Sequence, residues 1–173
     1  MVDIETMGNK SRSAIISIGA VNFDMITGET GRRFYCNVSL QSCLDAGLIV
    51  NADTILWWMQ QSEDARMSLI GNNISLKTAL INFHNWLAEC PEKYEIWGNG
   101  SRFDLGLLDD AYNSIGEKTP WMYWQERDVR TLVAFNPSLK KSIINDLPHD
   151  TISDCLYQIK YCSAIYNSIN INK

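Results

Sequence analysis

Three short stretches carry side chains suited to chemistry: Asp3-Ile4-Glu5 near the start, Phe103-Asp104 in the middle, and His149-Asp150-Thr151-Ile152-Ser153-Asp154 near the end. Strand side chains alternate faces, so Asp3 and Glu5 point together while Ile4 points into the core. Neighbouring carboxylates on a half-buried strand repel and lose hydration, an arrangement that is costly unless a cation neutralises it. Asp104 falls in the first turn of an expected helix, beyond the carboxyl end of a strand, where open α/β sheets place ligands. His149 and Asp154 are five apart, and on one helix they would diverge by roughly 140°. The conflict eases if Asp150 caps the helix and His149 stays in the preceding loop, where Pro148 favours non-helical geometry. Taken singly, each stretch has an ordinary explanation. D-x-E suits a polar edge strand, Asp104 suits a helix start, and His149 suits a solvated loop.

The elements that must position these groups follow from patterning. Val2 to Glu5, Ala14 to Phe23 and Arg32 to Val38 read as three strands of an antiparallel meander, with a turn at Met25 to Glu29. The first strand begins almost at Met1, so a few upstream residues are expected to be missing. Asp53 is expected to cap a helix through Trp57 and Met59, and Ser62 a second one running to Ile70. Ser75 opens a third, with Leu76, Leu80, Phe83 and Leu87 at helical spacing. A short strand from Tyr94 to Trp97, a turn at Gly98-Asn99-Gly100 and a helix from Phe103 to Ser114 follow. Trp121 to Trp124 reads as a fifth strand, Val129 to Phe135 as a helix, and Asp150 to Ile169 as the last helix. The order β-β-β-α-β-α-β-α calls for a mixed sheet flanked by helices.

Length and composition narrow the function classes. The 173 residues fit one domain, and 46% hydrophobic with 20% charged residues is a globular balance. No apolar run approaches the roughly 18 residues that span a bilayer, and no signal peptide is evident, so a cytoplasmic protein is expected. Five cysteines without a Cys-x-x-Cys pair read as buried thiols in a reducing compartment rather than a zinc site. A formal net charge of −5 disfavours a passive nucleic-acid binder. It does not disfavour a metal-dependent nuclease, whose acidity is partly the metal site itself.

D-x-E on the first strand, F-D opening a mid-chain helix and H-x-x-x-x-D at the last helix resemble, in order and spacing, the DEDD exonucleases of the histidine subgroup. The resemblance is nearest to phage-type exodeoxyribonucleases and small exoribonucleases, and extends through Thr6-Met7-Gly8, Thr54-Ile55-Leu56-Trp57-Trp58 and Arg127-Asp128-Val129-Arg130-Thr131. It implies an RNase H-like α/β fold over residues 1–173, with a five-stranded sheet of three antiparallel and then parallel strands. There is one departure. Proofreading members usually carry Asn four residues before the motif Asp, whereas Gly100 stands there, with Asn99 one step earlier.

The resemblance further implies a 3′→5′ exonuclease acting on single-stranded DNA or RNA and releasing nucleoside 5′-monophosphates. Two Mg²⁺ or Mn²⁺ ions about 4 Å apart would be held by Asp3, Glu5, Asp104 and Asp154, with His149 as general base. Thr6, Met7, Gly8 and Trp58 are the expected substrate contacts; of Trp57 and Trp58, one is expected in the core. Arg12, Arg102, Arg127 and Arg130 are phosphate candidates against a default of surface solvation. Two other readings remain: an RNase H-like endonuclease or resolvase, and a non-catalytic nucleic-acid-binding module. Substrate sugar and oligomeric state, a homodimer included, are left open.

Overall fold

A computed structural model describes residues 1–91, 93–144 and 149–170, the side chain of Asn170 excepted. Three strands, β1 (Val2–Thr6), β2 (Ile15–Phe23) and β3 (Thr30–Asn37), form the expected antiparallel meander. Strands β4 (Ile96–Gly98) and β5 (Glu126–Asp128) extend the sheet in parallel, giving the order β3-β2-β1-β4-β5. The mixed five-stranded α/β sheet is the one expected. β1 is central, so its side chains are the ones most enclosed.

Each face of the sheet carries its own core. Val2 and Ile4 of β1, with Ile18 and Ala20 of β2, pack under α4 (Leu76–Ala88) and α5 (Ser101–Ser114). Leu76, Leu80, Phe83 and Leu87 are all buried there, as the helical spacing predicts. On the opposite face Val21 packs with Cys155, Ile159, Tyr161, Cys162 and Ile165 of α8 (Thr151–Asn170) and Val129 of α6 (Val129–Val133). Alternation therefore turns Asp3 and Glu5 toward α8. Their partners across the ladder are Gly19 and Ser17, small residues that let α8 come close.

At Gly19 that approach leaves no room. A Cβ there would lie 2.3 Å from Thr151 Oγ1 and 2.5 Å from Thr151 Cβ. Gly19→Ala is therefore expected to push the start of α8 off the sheet, costing about 1–3 kcal/mol of stability. The melting temperature should fall accordingly, and an unchanged value would show that the helix start yields without consequence.

Several elements differ from the sequence expectation. The fifth strand is not Trp121 to Trp124 but the polar Glu126–Asp128. Trp121 is instead a core residue, edge-on to Phe83 and Tyr112, with its indole N–H donated to Glu126. Tyr123–Gln125 form a 3₁₀ turn, and the half-buried β5 pairs only with β4 at the sheet edge, so it needs no apolar face. The helix α2 (Ala52–Met59) is capped by Asn51, whose side chain accepts from the backbone of Asp53 and Thr54; Asp53 lies inside the first turn. Ser62 and Ser75 cap as expected, although the helix after Ser62, α3 (Glu63–Met67), stops short of Ile70. Two short helices, α1 (Leu40–Asp45) and α7 (Pro137–Lys141), were not anticipated. Pro148, used to hold His149 outside the last helix, lies outside the described residues. All five cysteines are free thiols; Cys43, Cys155 and Cys162 are buried, Cys36 and Cys90 only half-buried. No helix among the described residues is long and apolar enough to cross a membrane.

Candidate active site

Asp3 and Glu5 project from the middle of β1, and the remaining acidic groups come to them from two helices. Asp104 lies in the first turn of α5, directly after β4. It folds back over Gly98, where a Cβ would come within 3.1 Å of its carboxylate. Since Gly98 pairs with Val2 of β1, the missing side chain is what lets Asp104 reach the first strand. Asp154 arrives from the first turn of α8. Ligand atoms of Glu5, His149 and Asp154 all lie within 4.8 Å of one another.

The helix start resolves the angular conflict between His149 and Asp154. Asp150 caps α8, its carboxylate accepting from Ser153 N–H at 2.8 Å and its carbonyl from Asp154 N–H at 2.8 Å. His149 stays outside the helix in the left-handed region, with φ 67°, and its backbone N–H donates to Asp154 Oδ2 at 3.0 Å. Its ring stands edge-on to Trp57, with centroids 5.0 Å apart, and to Trp58 at 6.2 Å. Histidine and aspartate thus meet because the chain turns sharply between them.

Electrostatics mark the cluster as unfinished. Burial holds the Asp3 carboxyl well above the usual carboxylate range, and the charges of Asp104, Glu5 and Asp154 push it further. Glu5 is pushed up to about 9 by burial and by Asp154, Asp104 and Asp150. Burial also raises Asp104, opposed by the backbone of Asn99 and Ile4 and by Arg130. Asp104 is 3% exposed, and its Oδ2 has no hydrogen-bond partner among the described residues. Carboxylates packed like this either keep protons at neutral pH or share a cation. An all-oxygen donor set of this kind fits a hard divalent ion such as Mg²⁺ or Mn²⁺.

Gln158 was not anticipated. It is 3% exposed and donates from Nε2 to Asp3 Oδ1 at 2.9 Å, while its own Oε1 has no partner among the described residues. The usable signal was its spacing: one helical turn after Asp154, it shares that residue's face of α8.

Beside the acidic group opens a cleft of about 390 Å³, lined by Glu5, Thr6, Gly8, Asp53, Trp57 and Phe103 among others. That volume lies in the range of small-ligand pockets. The residues expected to hold substrate are distributed differently from the sequence reading. Trp58 lines the cleft but is only 5% exposed and donates its indole N–H to Thr6 O at 2.9 Å. Trp57 beside it is 40% exposed. The Thr6 hydroxyl is spent on Gly8 O, and Met7 is tied through its backbone to Ala14 and Asn51, with its side chain partly buried. Gly8 has no room for a side chain, since a Cβ would sit 2.4 Å from Ser13 Oγ. Thr6 and Gly8 therefore form a fixed wall of the cleft.

Among known proteins, residues 1–166 match the family described as the 3'-5' exoribonuclease Rv2179c-like domain. The chain is 26% identical over 196 residues to an exodeoxyribonuclease of Enterobacteria phage T4, covering 92% of this chain and 85% of that protein. The fold resembles the crystal structure of cell-death related nuclease 4 (CRN-4), with a TM-score of 0.53 at 11% identity. That likeness covers 96% of this chain but 63% of the nuclease, so the chain spans less than two thirds of it. With the family match running through both ends of the acidic constellation, the chain belongs to the Rv2179c-like 3'-5' exoribonuclease family, within the DEDD exonucleases that carry a histidine.

Proposed function

We propose that the protein removes nucleoside 5′-monophosphates one at a time from the 3′ end of single-stranded RNA or DNA. Divalent cations, two Mg²⁺ or Mn²⁺, would be held by Asp3, Glu5, Asp104 and Asp154. The observation that carries this reading is the buried acidic cluster beside an open cleft, with one Asp104 oxygen unpartnered among the described residues. When bound, such cations supply Lewis acidity at the scissile phosphate and favour an ionised attacking water.

The chain's own groups take the remaining roles. Gln158 holds the Asp3 carboxylate in one orientation through its amide hydrogen bond. His149 accepts the proton of the attacking water at a ring nitrogen, with its backbone anchored on Asp154 and its ring braced by Trp57. Trp57 and Phe103 line the cleft and offer aromatic surface to the terminal base, a contact worth about 1–3 kcal/mol. The wall from Thr6 to Gly8 limits how far the strand end can enter. The family's description names RNA and the phage relative's name DNA, so both sugars are to be assayed.

The test is digestion of 3′-labelled oligouridylate and oligothymidylate, each with a free or a chemically blocked 3′ end. Free ends should lose their label as a mononucleotide in the presence of Mg²⁺ or Mn²⁺, and blocked ends should survive. Cleavage of blocked strands to internal fragments would favour the endonuclease reading instead. In the same assay His149→Ala should be slower by about 100-fold or more. A variant at the wild-type rate would remove His149 from the base role.

A further inference from the structure

Arg130 of α6 packs against the turn that leads into Asp104. Arg12 is committed to Gly47 O, Arg127 pairs with Glu95 and with the carbonyls of Trp124 and Glu126, and Arg102 is exposed on α5. Arg130 has no ion pair or side-chain hydrogen bond among the described residues, and the Gly100 it packs on accepts the Asp104 backbone N–H at 3.2 Å. Its guanidinium lies against Gly100, with Cζ 3.2 Å, Nε 3.3 Å and Nη2 3.5 Å from where a Cβ would stand. Gly100 has φ 102° and is the N-cap of α5, so a side chain is disfavoured there on backbone grounds as well.

The position of Arg130 is built rather than incidental. Asp128 caps α6 through Thr131 N–H at 2.8 Å and at the same time accepts Ser101 N–H of α5 at 2.6 Å. One carboxylate thus locks the two helix starts together, and with them Arg130 relative to Gly100 and Asp104. The departure from the proofreading pattern at residue 100 acquires a physical meaning: the space beside the motif aspartate is filled from another helix by a cation.

Resting on the nuclease reading above, we propose that Arg130 is a substrate-binding residue that holds a backbone phosphate of the strand at the lip of the acidic cluster. A guanidinium supplies a planar pair of donors suited to phosphate oxygens. Bound substrate gives them their partner.

The experiment measures KM, kcat and their salt dependence for wild type, Arg130→Met and Arg130→Lys on oligouridylate and oligothymidylate with saturating Mn²⁺. The concentration of Mn²⁺ giving half-maximal rate is recorded alongside. Arg130→Met should raise KM about 10- to 100-fold with kcat within a few-fold of wild type. The slope of log KM against log salt should shrink by about 0.7, the share of one phosphate on a single strand. Arg130→Lys should recover the slope and part of the KM. Unchanged KM and slope would overturn the assignment. So would an altered Mn²⁺ requirement with an unchanged slope, which would leave Arg130 only balancing Asp104. If wild type itself leaves both oligonucleotides intact, the nuclease reading fails first, and that outcome is distinct from either variant result.

Discussion

Asp104→Asn is expected to lower cleavage by about 10³-fold or more while leaving the protein folded and, without metal, more stable than wild type. The amide keeps the shape of the side chain and the acceptor that the backbone of Asn99 and Ile4 faces, but removes one negative charge from a buried acidic group. Asp3, whose carboxyl is pushed up partly by Asp104, is relieved by the same change. Each kcal/mol gained should appear as a rise of roughly 2–4 °C in melting temperature in the presence of a chelator. In saturating Mg²⁺ the order should reverse, because wild type alone gains from the ion. The opposed signs separate a metal-site residue from a structural one: an ordinary buried aspartate would lose stability on substitution in both conditions.

The metal-free protein should also lose stability as pH rises, against the behaviour of most acid-rich domains. Glu5 keeps its proton up to about 9 in the folded state, against 4.5 ordinarily, and Asp3 and Asp104 are raised in the same direction. Below pH 4.5 both folded and unfolded chains hold the proton, and the contribution is fully present. Between there and about 9 the unfolded chain has released a proton that the folded chain retains. Stability therefore falls over that window by about 1.4 kcal/mol per pH unit on account of Glu5, and Asp3 and Asp104 act in the same direction. Asp24 and Asp128 are shifted the other way, downward, so they act only in more acid solution. Denaturant unfolding with chelator at pH 5, 6.5 and 8 should show the decline. Added Mg²⁺ should flatten or reverse it, since binding requires the ionised ligands. A metal-free stability that stayed level or rose across that range would mean the carboxylates ionise freely and are not the compressed cluster described above.

What could be read from the residues, and what could not, divides along physical lines. Asp3 and Glu5 were legible because strand alternation is local and rigid, and Asp104 because a glycine-rich turn followed by a helical pattern fixes a helix start. His149 and Asp154 looked incompatible on one helix; only a cap at Asp150 brings them together, and cap chemistry is itself legible. The fifth strand was misplaced because aromatic residues suit strands and cores alike. Which role Trp121 takes is decided by Phe83 and Tyr112, distant in sequence. Likewise, which of two adjacent tryptophans is buried depends on Thr6 O accepting the Trp58 indole, a contact across 52 positions. Gln158 was obscured for the same reason, and Arg130 stood as one of four equal arginine candidates. Their significance lies in what other elements bring beside them.

The most direct measurement is anomalous diffraction from crystals grown with Mn²⁺. Manganese peaks are expected between Asp3, Glu5, Asp104 and Asp154, with carboxylate oxygens at about 2 Å, and the orphaned Asp104 oxygen among them. Crystals showing manganese elsewhere, with these side chains sharing protons and no ion between them, would contradict the assignment of this pocket as the metal centre.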